Sequence, residues 1–564
     1  MKKIYLLMLL AFFLRIYGIN WDQGFHLHPD ERMLIMVADR IHFFTNLNPD
    51  FFNYGSLPIY LLKGGAQLFD TIFRTHFQGY DGLLILGRLL SAFFDVVTAY
   101  FVYKIAQLLF RKEKVSFLAM FLYTISFFPI QNAHFFVVDV FLTCFTTVLL
   151  YLLLQYLHDH ENNRQRKIQI VKIALIFAAM MATKVTSLIF YPMILLIFLI
   201  PFLFTKEKTM KQLSNLAMKV ITFHTLCFIF YFLFMPYGVL EVGTFIKDVT
   251  QQMKMNSDPY IFPYTLQYVG TLPYFYYLKN IFLWGLGPII SLLSLFGILA
   301  IFSSFWRRRQ NTHLIKNDSG QALRLRSGLA RMTIVLCFMF YALYFLVIGK
   351  SAVKFMRYIL PLYPFFAVMA GYGLYNIQLS TLNIKQSKTI SFAFIILTLL
   401  WTYMFMNIYA HPHPRITASE WMVKNIPAGS SLGVEHWDDR LPLFGGERYN
   451  FVEFPLYERP DDETKWAMMK AKIQQTDYIV LASNRLYVPL PKLQDCSKYK
   501  SCYPMVTEYY KELFNGQLGF AKVAEFATYP ELSLFGITFR LDDQTADESF
   551  TVYDHPKVII FKKI

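Results

Sequence analysis

Two histidines and two adjacent carboxylates follow directly after the first apolar run of the chain. They lie in the segment Trp21-Asp-Gln-Gly-Phe-His26-Leu-His28-Pro-Asp30-Glu31. Charges beside a bilayer must be hydrated, paired or used in chemistry, and a carboxylate can remove a proton from a hydroxyl as a general base. A hydrated loop is the ordinary alternative for such a pair. The proline-fixed, histidine-rich setting favours a catalytic role for Asp30 and Glu31.

The same segment offers candidate ligands for a metal and for a substrate. His26 and His28, with the carboxylates beside them, have the right chemistry for a metal, but their spacing matches no specific motif. The sequence therefore requires no cofactor and leaves a divalent metal open. His28 and Tyr54 are candidate substrate-binding residues, because aromatic faces stack on sugars. Tyr54 precedes a predicted surface helix, Ile59–Phe69, and packing is the alternative role for its ring.

A further carboxylate and four cations are predicted at the same outer level of the molecule. Asp139 stands at the edge of an apolar run, where an unpaired charge would be costly; capping a helix is the alternative role. Arg88, Lys184, Lys354 and Arg357 lie near the outer ends of other apolar runs. Snorkelling to the lipid surface would also explain such cations. Together they predict a site for an anionic ligand, since arginine grips phosphate well.

These residues must be positioned by helices that cross a membrane. The chain has 564 residues, of which 55% are hydrophobic and 16% charged, against about 25% charged in an ordinary soluble domain. This composition excludes a disordered protein and a disulfide scaffold. About eleven apolar runs are long enough to be candidate spans. They are Ile4–Asn20, Leu83–Phe110, Val115–Pro129, Val140–Leu157, Val171–Thr183, Val185–Phe204, Ala217–Pro236, Asn280–Trp306, Met332–Ile348, Tyr358–Tyr375 and Ile390–Ile408.

The net charge of +16 marks membrane topology rather than nucleic-acid binding. Lys2 and Lys3 precede the first run, and every second loop afterwards is basic, which is typical of the cytoplasmic side. These basic residues are Arg111, Lys112, Lys114, Arg164, Arg166, Lys167, Lys206, Lys208, Lys211, Arg307, Arg308, Arg309, Lys316, Arg324, Arg326, Lys385 and Lys388. We expect a cytoplasmic N-terminus, a retained first span and, with an odd span count, a C-terminal region outside the cytoplasm.

The chain changes character after His411, which predicts a soluble α/β domain. We place the membrane domain at residues 1–409, with its acidic motif in the outer loop 21–82, and the soluble domain at 410–564. Thr417-Ala-Ser-Glu420 is typical of a capping box opening a helix to Ile426. The other predicted elements are strands Leu432–Glu435, Tyr478–Ala482 and Val558–Phe561 and a helix Asp462–Gln475.

Cysteine spacing and an aromatic loop add two smaller predictions. Cys496 and Cys502 lie six residues apart in the soluble domain, so an exported domain would favour a local disulfide. A zinc site there would lack two ligands. The segment Tyr237–Lys279 is rich in Tyr, Phe and Pro and is a candidate lid.

The acidic pair, Asp139 and the basic reversals together resemble the GT-C superfamily of membrane glycosyltransferases. The group that looks nearest is glycosyltransferase family 39, the protein O-mannosyltransferase-like enzymes; the aminoarabinose transferases that modify lipid A are more distant. The resemblance covers the span layout to about residue 410. It is carried by Asp30-Glu31, Asp139, Ala-Thr-Lys184 and Lys354-x-x-Arg357-Tyr358-x-x-Pro361.

The resemblance implies inverting transfer of a sugar from a polyprenyl-phosphate-linked donor to a protein, lipid or glycan acceptor outside the cytoplasm. Asp30 matches the residue that such enzymes use as general base. Glu31 and Asp139 would orient the acceptor, the base or a metal. The four cations would stabilise the departing phosphate, and the bilayer would hold the polyprenyl tail.

Other functions stay open on the sequence alone. The C-terminal part, with Glu435-His-Trp-Asp-Asp439 and Tyr553-Asp-His-Pro556, differs from the β-trefoil of the eukaryotic protein mannosyltransferases, so the resemblance specifies neither a protein acceptor nor a mannose donor. The alternatives are a transporter or flippase of a lipid-linked anion, and an oligosaccharide ligase or polymerase on the same scaffold. Absence of Asn-x-Ser/Thr sites from the predicted outer segments favours a bacterial plasma (inner) membrane.

Overall fold

The computed structural model describes residues 2–158, 163–203, 209–311, 320–378 and 384–564. Helices dominate up to residue 410. They are α1 Lys2–Ile16, α2 Pro29–Arg40, α3 Leu57–Phe73, α4 Tyr80–Phe110, α5 Glu113–Thr124, α6 Phe127–Ala133, α7 Val138–His158, α8 Asn163–Met181, α9 Tyr191–Leu203, α10 Met210–Phe234, α11 Pro236–Leu240, α12 Val242–Ser257, α13 Phe275–Asn280, α14 Gly287–Asn311, α15 Gly320–Ile348, α16 Tyr363–Gln378 and α17 Ile384–Met406. Of the predicted spans and basic loops, Phe204, Lys206, Lys208 and Lys316 lie outside the described residues.

Within the described residues, eight helical stretches are long and apolar enough to cross a membrane, or nine if the bent pair α5–α6 forms one span. The predicted count of about eleven is therefore not confirmed. α1 has 15 residues, which is short of a span, and α5 and α6 meet at 56°. α8 carries four cations, Arg164, Arg166, Lys167 and Lys172, over its first half. The eight remaining predicted spans each coincide with an observed stretch.

Two short helices in the outer loop bring polar residues to the membrane body. α2 begins with Pro29, whose fixed φ and missing N–H suit the first helical position, and it buries Leu34, Ile35 and Val37. α3 also opens with a proline, and it starts two residues before the predicted Ile59 and ends four after Phe69. Both helices pack against α4.

Beyond residue 410 the chain forms a sheet flanked by helices. The elements are α18 Pro414–Asn425, β1 Ser431–Glu435, β2 Asn450–Phe454, α19 Glu463–Gln474, β3 Tyr478–Leu481, α20 Pro504–Phe514, β4 Phe520–Phe526, β5 Glu531–Leu534, β6 Ile537–Arg540, α21 Glu548–Thr551 and β7 Val558–Lys563. The main sheet has the order β2-β1-β3-β7-β4; β1 is parallel to β2 and β3, and β7 is antiparallel to β3 and β4. β5 and β6 form a separate hairpin.

The predicted capping box at Thr417-Ala-Ser-Glu420 is wrong. α18 begins three residues earlier, at Pro414, because the His413 ring caps it: His413 Nδ1 accepts a hydrogen bond from Arg415 N at 3.2 Å. The three predicted strands and the predicted helix near 462–475 all have observed counterparts. The sequence did not predict β2, β4, β5, β6 or α20. The mixed polar and apolar residues of β2 and β4 are mostly not buried. Cys496 and Cys502 form a disulfide.

The end of the chain returns to the membrane helices. Phe550, Val552 and Tyr553 belong to the same buried apolar core as those helices, although they lie in the region predicted as a separate soluble domain. Phe550 packs against Phe127 and Phe405, with ring centroids 6.0 and 5.7 Å apart. Residues 410–564 therefore contribute directly to the surroundings of α2 and α6.

Candidate active site

Asp30 lies in the first turn of α2 and faces a cation from a distant part of the chain. His28 caps this helix, with Nδ1 accepting a hydrogen bond from Glu31 N at 3.3 Å. The Asp30 carboxylate pairs with Arg357, with 2.6 Å between Oδ2 and Nη2. Its side chain is 26% exposed, so Asp30 is paired yet accessible to a second reactant.

Arg357 and Lys184 share a second carboxylate, that of Asp139. Asp139 Oδ1 accepts a hydrogen bond from Lys184 Nζ at 2.7 Å, and its Oδ2 lies 3.7 Å from Arg357 Nε. Lys184 Nζ also stands 4.4 Å from the centroid of the Tyr358 ring. Two carboxylates and two cations thus meet at one place, and Arg357 lies between the acids.

The position of Lys184 depends on a close backbone contact with the outer loop. Gly55 N and Leu57 N donate hydrogen bonds to Thr183 O and Ala182 O at 2.9 and 3.0 Å. A Cβ at Gly55 would lie 2.0 Å from Ala182 O, so only glycine permits this approach. The loop that carries Tyr54 is thereby joined to the reversal that carries Lys184.

Lys354 is a buried cation three residues before Arg357 in the chain. It is 3% exposed, and Nζ donates to Ala352 O at 3.0 Å. It forms no ion pair with any carboxylate in the part of the chain that the structure describes. Burial lowers the pKa of Lys354. The flanking residues Val353 and Phe355 are held in an aromatic cluster with Tyr268, so the reversal that carries Lys354 is well packed.

Arg88 does not have the geometry predicted for a phosphate ligand. It is fully buried, and its five N–H groups donate to Asp22, Glu31 and the carbonyl of Ile19 at 2.7 to 3.0 Å. Its guanidinium also lies 4.7 Å from the Trp21 ring centroid. No donor is left for a ligand, so the proposed phosphate contact of Arg88 is corrected to a structural role.

Glu31 is likewise committed to the scaffold rather than open to a substrate. Its carboxylate binds Arg88, and Oε1 also accepts from Phe136 N at 2.8 Å. The predicted catalytic role of Glu31 is therefore corrected to one of positioning: it ties α2 to α4 and to the turn before α7. Asp22, which was not predicted as a site residue, is the second carboxylate of this buried group. Burial raises the pKa of Asp22, but the charge of Arg88 outweighs this effect and holds that pKa below its usual value.

The two candidate metal-binding histidines contact different neighbours. His26 Nε2 lies 3.2 Å from Asp81 Oδ1, and its ring stacks on Tyr80. The His28 ring packs against Tyr553, with centroids 4.0 Å apart. Among the residues that the structure describes, no group of three or more His, Cys, Asp or Glu side chains is arranged to hold a metal. The structure does not bring His26 and His28 together as ligands.

His28 and Tyr54, the predicted substrate-binding residues, both border the site in neutral form. Burial and the positive charges of Arg357 and Arg88 lower the pKa of His28 well below its usual value. Burial and the charge of Asp30 raise the pKa of the Tyr54 phenol well above its usual value. Substrate binding by His28 and Tyr54 stays a prediction.

The structure brings a group of residues from the far end of the chain to the candidate site. Arg357 Nη1 donates to the Tyr553 hydroxyl at 3.3 Å. The next residue, Asp554, accepts hydrogen bonds from Gln131 and Tyr409 and contacts His555. The Tyr553-Asp-His-Pro556 motif was visible in the sequence, but its contact with Arg357 depends on tertiary folding.

His555 is held between two carboxylates in this C-terminal group. Its Nδ1 lies 2.5 Å from Asp554 and its Nε2 2.9 Å from Asp543. Burial opposes a charged ring, but the two acids raise the pKa of His555 to about 10. A charged imidazolium therefore fixes the segment that carries Tyr553.

Comparison with known proteins identifies the fold and the family of the chain. No curated protein sequence matches the chain significantly. The Archaeoglobus fulgidus oligosaccharyltransferase in its apo form has the same overall fold, with a TM-score of 0.51 and 12% identity over 100% of this chain and 88% of the other. The complex of the Archaeoglobus fulgidus oligosaccharyltransferase AglB with an inhibitory peptide and a dolichol-phosphate gives 0.50 and 13%, over 96% and 74%. ArnT from Cupriavidus metallidurans bound to undecaprenyl phosphate gives 0.48 and 12%, over 87% and 94%.

A family model covers most of the membrane region and reaches into the start of the sheet region. The model of the Alg9-like mannosyltransferase family matches residues 51–426, which include Arg88, Asp139, Lys184, Lys354 and Arg357. The predicted resemblance to GT-C membrane glycosyltransferases is thus confirmed, and the matched family within them is the Alg9-like one. The chain belongs to the Alg9-like mannosyltransferase family and is a multi-pass membrane glycosyltransferase.

Proposed function

We propose that this enzyme transfers a sugar, with inversion at the anomeric carbon, from a polyprenyl-phosphate-linked donor to a protein, lipid or glycan acceptor on the extracytoplasmic face of the membrane. The observation that carries the proposal is the grouping of Asp30 and Asp139 around Arg357, with Lys184 paired to Asp139. A base for the acceptor and cations for a phosphate lie within one cluster.

The proposed reaction uses these groups in distinct roles. Asp30 removes the proton of the acceptor nucleophile as that atom attacks the anomeric carbon. The departing phosphate is already an anion, so cations rather than an acid must stabilise it. Arg357 and Lys184 are placed for this role, and Lys354 adds a third cation. Phosphate binding at Arg357 would replace its ion pair with Asp30 and free that carboxylate to act as the base.

Asp139 is a positioning residue in this proposal. Its carboxylate holds Lys184 and stands near Arg357, so it sets the spacing of two phosphate-binding cations. Tyr54 and His28 lie at the edge of the cluster and are proposed contacts for the sugar or the acceptor. Any divalent metal would be an addition to this set rather than a part of the proposed chemistry.

The family and the fold support an enzyme with a lipid-linked donor. Membership of a mannosyltransferase family favours transfer over the transporter or flippase alternative. AglB, which shares the fold, was solved with a dolichol-phosphate. The likeness to an oligosaccharyltransferase concerns the fold alone, so transfer of a single sugar remains the proposal and transfer of an oligosaccharide its alternative.

We also propose a plasma (inner) membrane location, with the N-terminus cytoplasmic and residues 410–564 outside. The alternation of basic loops supports this orientation. The disulfide between Cys496 and Cys502 supports it further, since disulfides persist in oxidising compartments.

Incubation of the purified protein with a panel of polyprenyl-phosphate sugars, including the mannose form, tests the function by mass analysis of the products. We expect one donor to yield a glycosylated acceptor. In Asp30→Asn, kcat with that donor should fall by about 10²- to 10⁴-fold, the usual worth of a general base. Asp39→Asn, on the same helix, is the matched control and should stay active.

Two results would contradict the proposal separately. Full activity of Asp30→Asn would remove the assignment of the base but leave the enzyme class intact. Absence of any product from every lipid-linked donor, with correctly inserted wild-type protein, would contradict the donor class.

A further inference from the structure

A cavity of about 360 Å³ lies between the predicted lid and the C-terminal region. Its lining comes from residues 267–280 on one side and from residues 484–492 and 545–548 on the other. Small-molecule sites typically occupy about 300–1,000 Å³, so the cavity can hold one sugar unit with a substituent. None of the residues assigned to the transfer reaction lines it.

The two carboxylates in the cavity wall are already committed to protein partners. Asp547 accepts hydrogen bonds from the Tyr276 hydroxyl at 2.6 Å and from Ser549 N at 2.9 Å. Glu548 accepts from Arg485 Nε at 2.7 Å and from Gln267 Nε2 at 2.6 Å. These contacts hold the two walls together, and Arg485 balances the charge of Glu548. Asp547 has neutral hydrogen-bond donors and no ion pair among the described residues.

Two lysines that line the same cavity remain available to bind a ligand. Lys279 and Lys492 line the cavity, and neither forms an ion pair with any residue described in the structure. Both lysines are also exposed to solvent, and partial burial together with the positive charge of Lys279 lowers the pKa of Lys492. Two positive charges that line one cavity favour the binding of an anion, because the anion relieves their repulsion.

A buried amide in the cavity wall lacks a partner. Asn484 is 4% exposed, and its Oδ1 has no hydrogen-bond partner within the described part of the chain. Its Nδ2 reaches Gln544 Oε1 at 3.5 Å, which is a long contact. A buried polar atom without a partner costs free energy, so a ligand hydroxyl would satisfy it.

The position of Asn484 within the sheet also favours a ligand site at this cavity. It follows β3 closely, at the carboxyl end of a strand that runs parallel to β1. Ligands of α/β folds bind beyond the carboxyl ends of parallel strands. Here that edge faces the membrane body, since Glu548 in the cavity wall and Tyr553 beside Arg357 lie on one short segment.

We propose that this cavity binds an acidic sugar unit of the acceptor, carrying a phosphate or a carboxylate. Lys279 and Lys492 hold the acidic group, and Asn484 accepts a hydrogen bond from a sugar hydroxyl. The role of this cavity in the reaction rests on the proposed transfer function. Binding to the cavity itself needs no donor and can be measured separately.

The test measures binding of mannose 6-phosphate, glucuronate and mannose to the detergent-solubilised full-length protein by saturation-transfer NMR, without a donor. We expect one or both acidic sugars to bind at least about tenfold more tightly than mannose. Lys279→Ala/Lys492→Ala should abolish this preference, whereas Lys470→Ala/Lys498→Ala, with the same change in net charge, should preserve it. Asn484→Ala should weaken binding of the charged and uncharged sugars alike.

Each other outcome overturns the proposal. Equal affinity for the three sugars would show that the cavity does not select an anion. Unchanged binding in Lys279→Ala/Lys492→Ala would place the anion elsewhere, and loss of mannose 6-phosphate binding in Lys184→Met would place it at the proposed donor site. Failure of the transfer assay leaves these binding results unaffected, so the two proposals fail independently.

Discussion

The neighbouring acids Asp30 and Glu31 of α2 have different surroundings. This difference distinguishes a candidate catalytic residue from a structural one. Successive residues of a helix point about 100° apart, so Asp30 turns to Arg357 while Glu31 turns to Arg88. Asp30 keeps contact with solvent, whereas Glu31 is fully buried. The helix thus leaves one carboxylate partly exposed, as the proposed base, and uses the other to hold itself in place.

Replacement of Arg88 tests its structural role. Arg88→Met would leave the carboxylates of Asp22 and Glu31 buried without their positive partner, and breaking a buried ion pair costs about 3–5 kcal/mol. We expect poor insertion and a large fall in the melting temperature, measured by thermal unfolding in detergent. Arg88→Lys should also unfold early, because lysine cannot supply five planar donors. If Arg88→Lys instead folded normally and raised KM for the donor, Arg88 would be a phosphate ligand.

Glu435 makes the stability of the C-terminal sheet depend on pH. Burial raises the pKa of Glu435 to about 8, against about 4.3 in an unfolded chain. Between these values the folded protein keeps a proton that the unfolded chain releases, so stability falls as pH rises. We expect the melting temperature to drop between pH 5 and pH 8 by several degrees more in the wild type than in Glu435→Gln. Glu453→Gln, on the neighbouring strand and largely exposed, should follow the wild type.

At the scale of elements, the site depends on loops that are joined by backbone contacts. The turn before α3 donates two hydrogen bonds to the reversal after α8, and that reversal carries Lys184. The reversal before α16 carries Lys354 and Arg357 and is fixed by aromatic packing. Because each loop is short and anchored, the charged groups keep their spacing without a ligand.

Substitution of Gly55 tests this coupling between loops. In Gly55→Ala the new Cβ would lie 2.0 Å from the carbonyl oxygen of Ala182, so the backbones must separate, at a typical cost of about 1–3 kcal/mol. We expect kcat for sugar transfer to fall at least about tenfold, because Lys184 moves relative to Asp139. Gly79→Ala is the matched control, since its Cβ would meet nothing within 4 Å. Equal activity of the two variants would show that Lys184 does not need this contact.

At the scale of the whole molecule, the C-terminal region shares a buried core with the membrane helices. Its last helix and the residues that follow insert Phe550 and Tyr553 among the membrane helices. His555 lies between the buried carboxylates of Asp543 and Asp554, so its positive charge offsets part of the negative charge that this insertion buries. The sheet domain is thereby held over the site in a definite orientation.

Removal of the Phe550 ring tests this attachment. Phe550 is fully buried, and truncation of a buried phenylalanine costs about 3–5 kcal/mol. We expect Phe550→Ala to speed limited proteolysis of the C-terminal region and to lower transfer activity, because Tyr553 would lose its place beside Arg357. Phe539→Ala, on the exposed hairpin, is the matched control and should behave as the wild type. Resistance of Phe550→Ala to proteolysis would indicate that the region is held mainly by other contacts.

Local patterns in the sequence were sufficient to predict the membrane character of the chain and the α/β nature of its C-terminal region, whereas the catalytic and binding roles of the site residues stay predictions. Hydropathy and charge alternation are properties of short segments, so they need no tertiary information. The span count was less predictable, because α8 mixes charged and apolar residues and α5–α6 bends within one apolar run.

Tertiary structure decided which charged residues pair with which. Asp30 and Glu31 are adjacent, and Arg88 and Arg357 are both arginines near outer helix ends, so their types could not distinguish the partly exposed pair Asp30–Arg357 from the fully buried pair Glu31–Arg88. The contacts of Tyr553 and Asn484 join segments that are far apart in the chain. Ion pairing and burial depend on the neighbours that folding brings together, and the sequence alone does not contain that arrangement in readable form.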